Sequence, residues 1–293
     1  FNVYSPNARK SDKVAAGRMW PSAIEGLART IVGMDCDIIG FNELRNTVWH
    51  HPDVEDGHQL KDRVNELNGN KYVWKWEYPN FNDGSSDFCN GFAYDPDVVS
   101  LISEPVCMWL ASDATTCLDK KDGGRTIVYA HFKHLETGKT FWFASTHITL
   151  SDDKQQSQYN AACCVNLAKS VVDHKETCFL AGDMNCASKS IRPATYEILL
   201  GYWGDAYASA KEHGILNDEN LAKPATRPGT GKDGTGTAAE LKELQYEYYR
   251  YDHIMFDKAK VTGYNCIRDF YPGVDGIDYW PSDHFPIWAE FEF

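Results

Sequence analysis

Several apolar segments of this chain stop in acids, amides or histidines. Asn2 lies in the first of them, FNVYSPN; Glu43 ends DIIGFNE and His147 ends FWFASTH. Asp183 and Asn185 end FLAGDMN, and Asp252 follows the aromatic stretch YEYYRY. Asp283 and His284 sit between Pro281 and Pro286, just before a last alternating run, IWAEFEF. Polar groups at strand ends stand where loops leave a rigid scaffold, and sheet proteins collect their binding sites there. Taken singly, a carboxylate after a strand is more often a turn former or helix cap, and a lone histidine a satisfied surface residue. The number of these residues and their chemical mix point to a site.

That mix fits one chemistry. Asn, Glu and Asp offer hard oxygen ligands, which suit Mg²⁺ or Mn²⁺ rather than zinc. Two histidines can carry protons near neutral pH, and Asp252 can orient one of them by accepting its ring N–H. Amides and an arginine hold phosphate oxygens without being consumed. Together they suit metal-assisted hydrolysis of a phosphate ester: metal neutralises the oxyanion, a histidine–carboxylate unit handles the attacking water, and a further group helps the leaving oxygen.

The elements that must position these groups are legible in outline. With 293 residues, 43% of them hydrophobic, the chain can bury the core of one large α/β domain. Ser22-Ala23-Ile24-Glu25 is a capping box that opens a helix, with Ile24, Leu27, Ala28, Ile31 and Val32 as its apolar stripe. CDIIGFNEL follows as a buried strand. A second helix is expected over 59–67 and a third over 154–173. KYVWKWEY, NGFAYDP, VVSLISEPV and the hairpin RTIVYAHFKHLETGKTFWFASTHI read as strands, as do CFLAGDMN, YDHIMFD, KVTGYNCI and the tail. This order implies two mixed sheets with helices on their outer faces. The stretch 217–240 reads as a mobile loop inside a single domain covering 1–293, since strands continue on both sides of it.

Composition narrows the function classes. No run approaches the roughly eighteen apolar residues of a membrane-spanning helix. A net charge of −13 argues against salt-sensitive gripping of a nucleic-acid duplex and is compatible with a divalent metal. The chain starts directly in a strand without a charged n-region or apolar h-region, so an upstream segment is expected to have been removed. Nine cysteines without a C-x-x-C motif point to an oxidising, secreted or extracytoplasmic setting, the cytoplasm remaining the alternative. Cys107 and Cys117 bracket a short loop and are candidates for a bridge. Cys36, Cys178 and Cys266 read as core residues, and Cys163-Cys164 as helix packing. HHPDVEDGH has no usual zinc spacing, and GTGKDGTG lacks the P-loop pattern.

FNV, FNEL with Glu43, STHI with His147, AGDMN with Asp183 and Asn185, YDHIMF with Asp252 and PSDHFPI with Asp283-His284 come in that order. This series resembles the endonuclease/exonuclease/phosphatase superfamily, which includes DNase I, the abasic-site endonucleases, the CCR4-type deadenylases, the inositol polyphosphate 5-phosphatases and the neutral sphingomyelinases. The resemblance runs from residue 1 to 293. It implies a DNase I-like four-layer α/β/β/α sandwich. It also implies that Asn2, Glu43 and Asp283 form the main Mg²⁺ site, with Mn²⁺ as a substitute, and that Asp183 and Asn185 position the water and the phosphate. His284, held by Asp252, is implied to contact the phosphate and serve as base or transition-state stabiliser, and His147 to help the leaving group or bind the phosphate. The general base is left between His284 and Asp183. Arg125 falls where many members place a phosphate-contacting arginine, although a residue at that edge also reads as a surface group. Many nucleases of the family orient the equivalent of His147 with a Glu ahead of the NGFAYDP-like strand. Here the stretch is SSDFCNGF, and Asp87 and Asn90 are the nearby candidates.

The resemblance fixes the reaction class better than the substrate. The inositol 5-phosphatases carry Trp-Cys-Asp-Arg where this chain has YRYDHIMF, so that branch fits poorly. The leading expectation is a monomeric Mg²⁺-dependent phosphodiesterase, a nuclease foremost, with WKWEYPNF and YEYYRY either stacking on bases or buried as core strands. The alternatives are a phosphomonoesterase or lipid phosphodiesterase, and a binding protein on the same fold that has lost catalysis.

Overall fold

In the computed structural model the described residues are 1, 3, 22–44, 56–75, 90–113, 115–119, 125–150, 154–171, 175–187, 191–227, 247–272 and 278–293. Helix α1, Ser22–Met34, buries Ala23, Leu27, Ala28 and Ile31 completely, the i, i+4 stripe of its sequence. Strand β1, Ile38–Phe41, and helix α2, Asp56–Asn68, share that core through Ile39, Phe41, Leu60 and Val64. Each such side chain contributes roughly 1.5–3 kcal/mol on burial. Strands β2, Val73–Lys75, and β3, Gly91–Tyr94, complete a three-stranded sheet in the order β1-β3-β2.

Next come β4, Val99–Leu101; β5, Val106–Trp109; β6, Thr126–His134; and β7, Thr140–His147. β6 and β7 form the expected hairpin, in register from Ile127 opposite Thr146 to Lys133 opposite Thr140. Helix α3, Lys154–Val171, carries the chain over to β8, Thr177–Asp183, which lies parallel to β7. A parallel pair needs such a crossover. Helix α4, Pro193–Leu200, strand β9, Gly204–Asp205, and helix α5, Ala206–Glu212, follow. None of the three was expected from sequence. α4 starts with a proline at its first position behind Arg192, whose φ is +47°.

A short helix α6, Asp218–Ala222, occupies the beginning of the segment read as a loop; residues 228–246 lie outside the described ones. Strands β10, Asp252–Asp257, and β11, Lys260–Cys266, precede a small pair, β12, Tyr271–Pro272, and β13, Asp278–Tyr279. β14, Ile287–Glu292, ends the chain and pairs with β11.

The larger sheet runs β4-β6-β7-β8-β10-β9, with β5 also on β6. Residue parity sorts its faces. Phe141 and Phe143 of β7, Phe179 and Ala181 of β8, and Ile254 and Phe256 of β10 join Phe92 and Tyr94 of β3 and Phe291 of β14 in a core between sheets. Ala144, Cys178, Leu180 and Met255, of opposite parity, pack with α3 and α4. With α1 and α2 covering β1, the layers are helix, sheet, sheet, helix, as the sequence implied. Among the described residues the second sheet layer comes in two pieces, β1-β3-β2 and β11-β14.

The suggested Cys107–Cys117 bridge is not formed. Neither cysteine is in a disulfide. Cys107 packs on the core between the sheets and Cys117 on the helix-side core, where its thiol donates to the Cys163 carbonyl at 3.6 Å. Side chains on opposite faces of a sheet cannot be joined without moving backbone.

Candidate active site

Strand register assembles the site. His147 is the last residue of β7, and it stands opposite Asp183, the last residue of β8. Asp183 in turn faces Asp252, the first residue of β10. All three continue the parity that points between the sheets, so they emerge on one face at one end. Close approach of β7 and β8 there requires Gly182, whose φ is +153°; a Cβ on it would lie 1.8 Å from the Thr146 carbonyl oxygen. β1 is tied to the same end. Ser145 Oγ donates to the Phe41 carbonyl at 3.1 Å, and Asn42 Nδ2 to the Thr146 carbonyl at 2.9 Å. Asn42 Oδ1 accepts the backbone N–H of Asp183 at 2.9 Å. Glu43, with a φ of +61°, follows and is half-buried.

His284 reaches the cluster from the loop ahead of β14. Its backbone N–H is held by Ser282 Oγ at 3.1 Å, and its Nδ1 donates to Asp252 Oδ2 at 2.8 Å. Nε2 lies 3.6 Å from Asp183 Oδ2. Burial alone would depress this imidazole's pKa, but Asp252, Asp183 and Asp283 outweigh it and push it up to about 9. His284 is therefore an imidazolium at neutral pH. Burial works against the Asp252 carboxylate too, yet His284 and Thr226 keep its pKa below the usual range.

His147 has a different environment. Arg125 Nη1 is 2.9 Å from its Nδ1, Asn185 Nδ2 is 2.9 Å from its Nε2, and Asp183 Oδ2 is 3.4 Å from that same Nε2. Burial, Arg125, His284 and Arg227 hold this histidine well below its ordinary pKa, so it is neutral. A neutral imidazole accepts at one nitrogen only. Arginine can only donate, and so can the amide nitrogen of Asn185, so both ring nitrogens face donors and only one of them can accept. Asn185 Nδ2 uses a hydrogen on the Ile148 carbonyl at 2.8 Å, and the Asn185 backbone N–H closes a turn on Asp183 Oδ1 at 2.9 Å.

The site thus sets a protonated His284, paired with the Asp252 carboxylate, against a neutral His147 beside the cationic Arg125, on either side of Asp183. His147, Asp183, Asn185, Asp252 and His284 are each between 2% and 4% exposed. Such an arrangement can orient a water, donate to oxyanions from both sides and protonate a leaving oxygen.

No family model matches the chain, and no curated protein matches it by sequence. Solved structures do match. A mannosyl-6-phosphatase from Bacteroides thetaiotaomicron superposes with a TM-score of 0.69 at 20% identity, over 100% of this chain and 97% of that one. An endonuclease/exonuclease/phosphatase family protein from the same organism gives 0.66 at 21% identity, over 99% and 94%. TDP2 of D. rerio, complexed with a single-strand DNA product, gives 0.60 at 13% identity, over 95% and 96%.

The chain has the endonuclease/exonuclease/phosphatase fold. Against that fold, the site residues expected from sequence fall as follows. His147, Asp183, Asn185, Asp252 and His284 come together, and Arg125 and Asp283 border them. Glu43 stands at the end of β1, and its charge acts on both Arg125 and Arg227. Asn2 lies outside the described residues, although its neighbours Phe1 and Val3 pair with the backbone of Asn42 at 2.9 and 3.0 Å.

Neither candidate for orienting His147 is seen on its ring among the described residues. Asn90 uses its amide on Asn42 and Thr126 instead, and Asp87 lies outside the described residues. Arg125 takes the place at Nδ1. The residues around Glu43 and Asp283 fit a hard cation. Asp283 Oδ1 is buried with no hydrogen-bond partner among the described residues, and an orphaned carboxylate oxygen beside further acids is what a divalent ion would satisfy. Ligand atoms of Asp183, Asp252 and His284 also lie within 4.8 Å of one another, but His284 Nδ1 is already committed to Asp252.

Three residues of this site were missed in the sequence. Asn42 stood in the FNEL motif beside Glu43 and could have been found there. Thr226 and Arg227 lie in a segment read as loop, where nothing marked them.

Proposed function

We propose that the protein is a divalent-metal-dependent phosphoesterase. The observation that carries this reading is the convergence, at one end of the sheets, of a protonated and a neutral histidine around one buried aspartate. Glu43 and Asp283 would hold the metal, with Asn2 as the further ligand that the resemblance implies. When bound, the metal supplies charge to a phosphate oxygen and lowers the pKa of water.

The chain's own residues do the rest. Asp183 Oδ2, which faces Nε2 of both histidines, accepts the proton of the attacking water. His284 is already protonated, so it is unsuited as the base; it donates from Nε2 to a phosphate oxygen as negative charge develops. His147, neutral and so carrying one ring proton, serves the leaving oxygen. Arg125 orients that ring, and Asn185 lines the phosphate side.

Two esters remain in view. A diester, as in a nuclease, is supported by the likeness to TDP2 in complex with single-strand DNA. A monoester is supported by the likeness to a mannosyl-6-phosphatase. Turnover of DNA, RNA, bis-p-nitrophenyl phosphate, p-nitrophenyl phosphate, mannose 6-phosphate and sphingomyelin, each with Mg²⁺ and with EDTA, tests the reading. Mg²⁺-dependent, EDTA-sensitive release from at least one of them is expected. Activity on none, with no Mg²⁺ binding by calorimetry, would leave a binding protein on a catalytic fold.

A further inference from the structure

Arg227 is the cation that the scheme above leaves unused. Its backbone is tied to the ends of the elements that carry Asp252 and His284. Thr226 Oγ1 accepts the N–H groups of Tyr251 and Asp252, both at 3.0 Å, and the Thr226 carbonyl accepts the Phe285 N–H at 2.7 Å. The Arg227 N–H donates to the Tyr249 carbonyl at 3.0 Å. From this anchored point the guanidinium lies over the Tyr251 ring, 5.7 Å from its centroid, with Nη2 3.4 Å from Asp283 Oδ2. Its charge acts on Asp183, Glu43 and His147 as well. The side chain keeps 34% exposure, whereas the groups beneath it keep almost none. It stands at the mouth of the site.

A contact of 3.4 Å is long for a charged pair, which prefers 2.7–2.9 Å. It also occupies only one of the five guanidinium N–H groups. The others have no partner among the described residues. Stacking on Tyr251 and anchoring through Thr226 restrict the side chain in advance, which lowers the entropy lost when it grips a ligand.

We propose that Arg227 is a specificity residue that grips the third terminal oxygen of a phosphomonoester and makes the site prefer monoester dianions over diesters. This rests on the phosphoesterase reading. A monoester presents three terminal oxygens and up to two charges; a diester presents two oxygens and one charge. His284 donates from one side of Asp183, and the His147–Arg125 unit stands on the other. Arg227 is a third cationic donor, placed beside Asp283. In a diester the atom that meets it is an ester oxygen bearing carbon, which carries no full charge for the guanidinium to pair with. Discrimination is a difference of affinities, and a donor set matched to three oxygens puts that difference on the side of the monoester. The chain's net charge of −13 offers no compensating grip on a polymeric diester.

The test uses the full chain and the variants Arg227→Met and Arg227→Lys, with folding checked by thermal melts. The ratio of kcat/KM for p-nitrophenyl phosphate to that for bis-p-nitrophenyl phosphate is read with Mg²⁺. Affinity for inorganic phosphate is read by calorimetry in EDTA. The wild type is expected to favour the monoester. Arg227→Met is expected to lower that ratio by about 10- to 100-fold and to weaken phosphate binding by about tenfold or more, the scale of a lost charge-assisted contact, with Arg227→Lys in between. An unchanged ratio in both variants, or a wild type that favours the diester, overturns the assignment while leaving the phosphoesterase reading intact. A folded wild type that turns over none of the panel esters overturns both, and one active on other panel substrates but on neither nitrophenyl ester overturns the assignment alone. If Arg227→Met does not fold, Arg227→Lys decides: a lysine variant with the wild-type ratio and wild-type phosphate affinity refutes a role for the guanidinium fork.

Discussion

His284 and His147 are the same residue type a few ångströms from the same aspartate, and their surroundings drive them to opposite charge states. His284 meets three carboxylates and is protonated; His147 meets two arginines and a protonated histidine and is neutral. The pairing predicts unequal consequences. His284→Ala should lower turnover by about 10²–10⁴, the scale of a lost acid/base group, and lower the melting temperature as well, since it leaves the buried Asp252 carboxylate without its partner; full retention of activity on the best substrate would remove His284 from the mechanism. Glu43→Gln keeps shape and removes the ligand charge. It should weaken Mg²⁺ binding by calorimetry and lower turnover, with the circular dichroism spectrum unchanged.

At the scale of elements, two features hold the strand ends in place. The first is Gly182 at the end of β8. Gly182→Ala would force a methyl group against the Thr146 carbonyl, 1.8 Å away, at a φ that L-residues avoid. A destabilisation above about 4 kcal/mol is expected, visible as loss of soluble protein or of the cooperative urea transition.

The second is a buried network on the helix side of β10. Asp205, the N-cap of α5, accepts from Ala208 N–H at 3.1 Å, Arg250 Nη1 at 2.9 Å and Tyr196 Oη at 3.1 Å, and its Oδ2 lies 2.7 Å from His253 Nδ1. His253 Nε2 donates to the Cys186 carbonyl at 2.9 Å, directly after Asn185. Burial pushes the Asp205 carboxylate's pKa up, but Arg250 and His253 hold it well below the usual range. Its contribution to stability is then complete above the unfolded pKa, about 3.9, and is lost as pH falls from there towards the folded value. Asp205→Asn should cost about 3 kcal/mol at pH 7, the scale of breaking a buried pair. The gap in melting temperature between variant and wild type should narrow below about pH 4.

On the scale of the whole molecule, the layer between the sheets carries the largest aromatic cluster. Phe132 is fully buried and meets Phe92 and Tyr94 edge-on, at 5.5 and 5.4 Å between ring centroids. Phe132→Ala should cost about 3–5 kcal/mol in denaturant unfolding. Below the melting temperature, kcat is expected to stay within a few-fold of wild type, because the cluster lies away from the strand ends where His147, Asp183 and Asp252 emerge.

The sequence by itself determined which groups could meet. Alternation along FWFASTH and CFLAGDMN assigns His147 and Asp183 to one face, and the helical stripe over 22–34 follows from spacing alone, because periodicity records the face on which a side chain stands. Tertiary structure decided which groups do meet. That β7 and β8 run parallel with His147 opposite Asp183, that Arg125 meets the His147 ring, and that Arg227 reaches the mouth from a stretch read as loop all depend on pairings between distant segments. Cys107 and Cys117, ten positions apart in sequence, end on opposite sides of a sheet for the same reason. Proximity along the chain says nothing about side, and the register between strands that fixes it arises only when the layers pack.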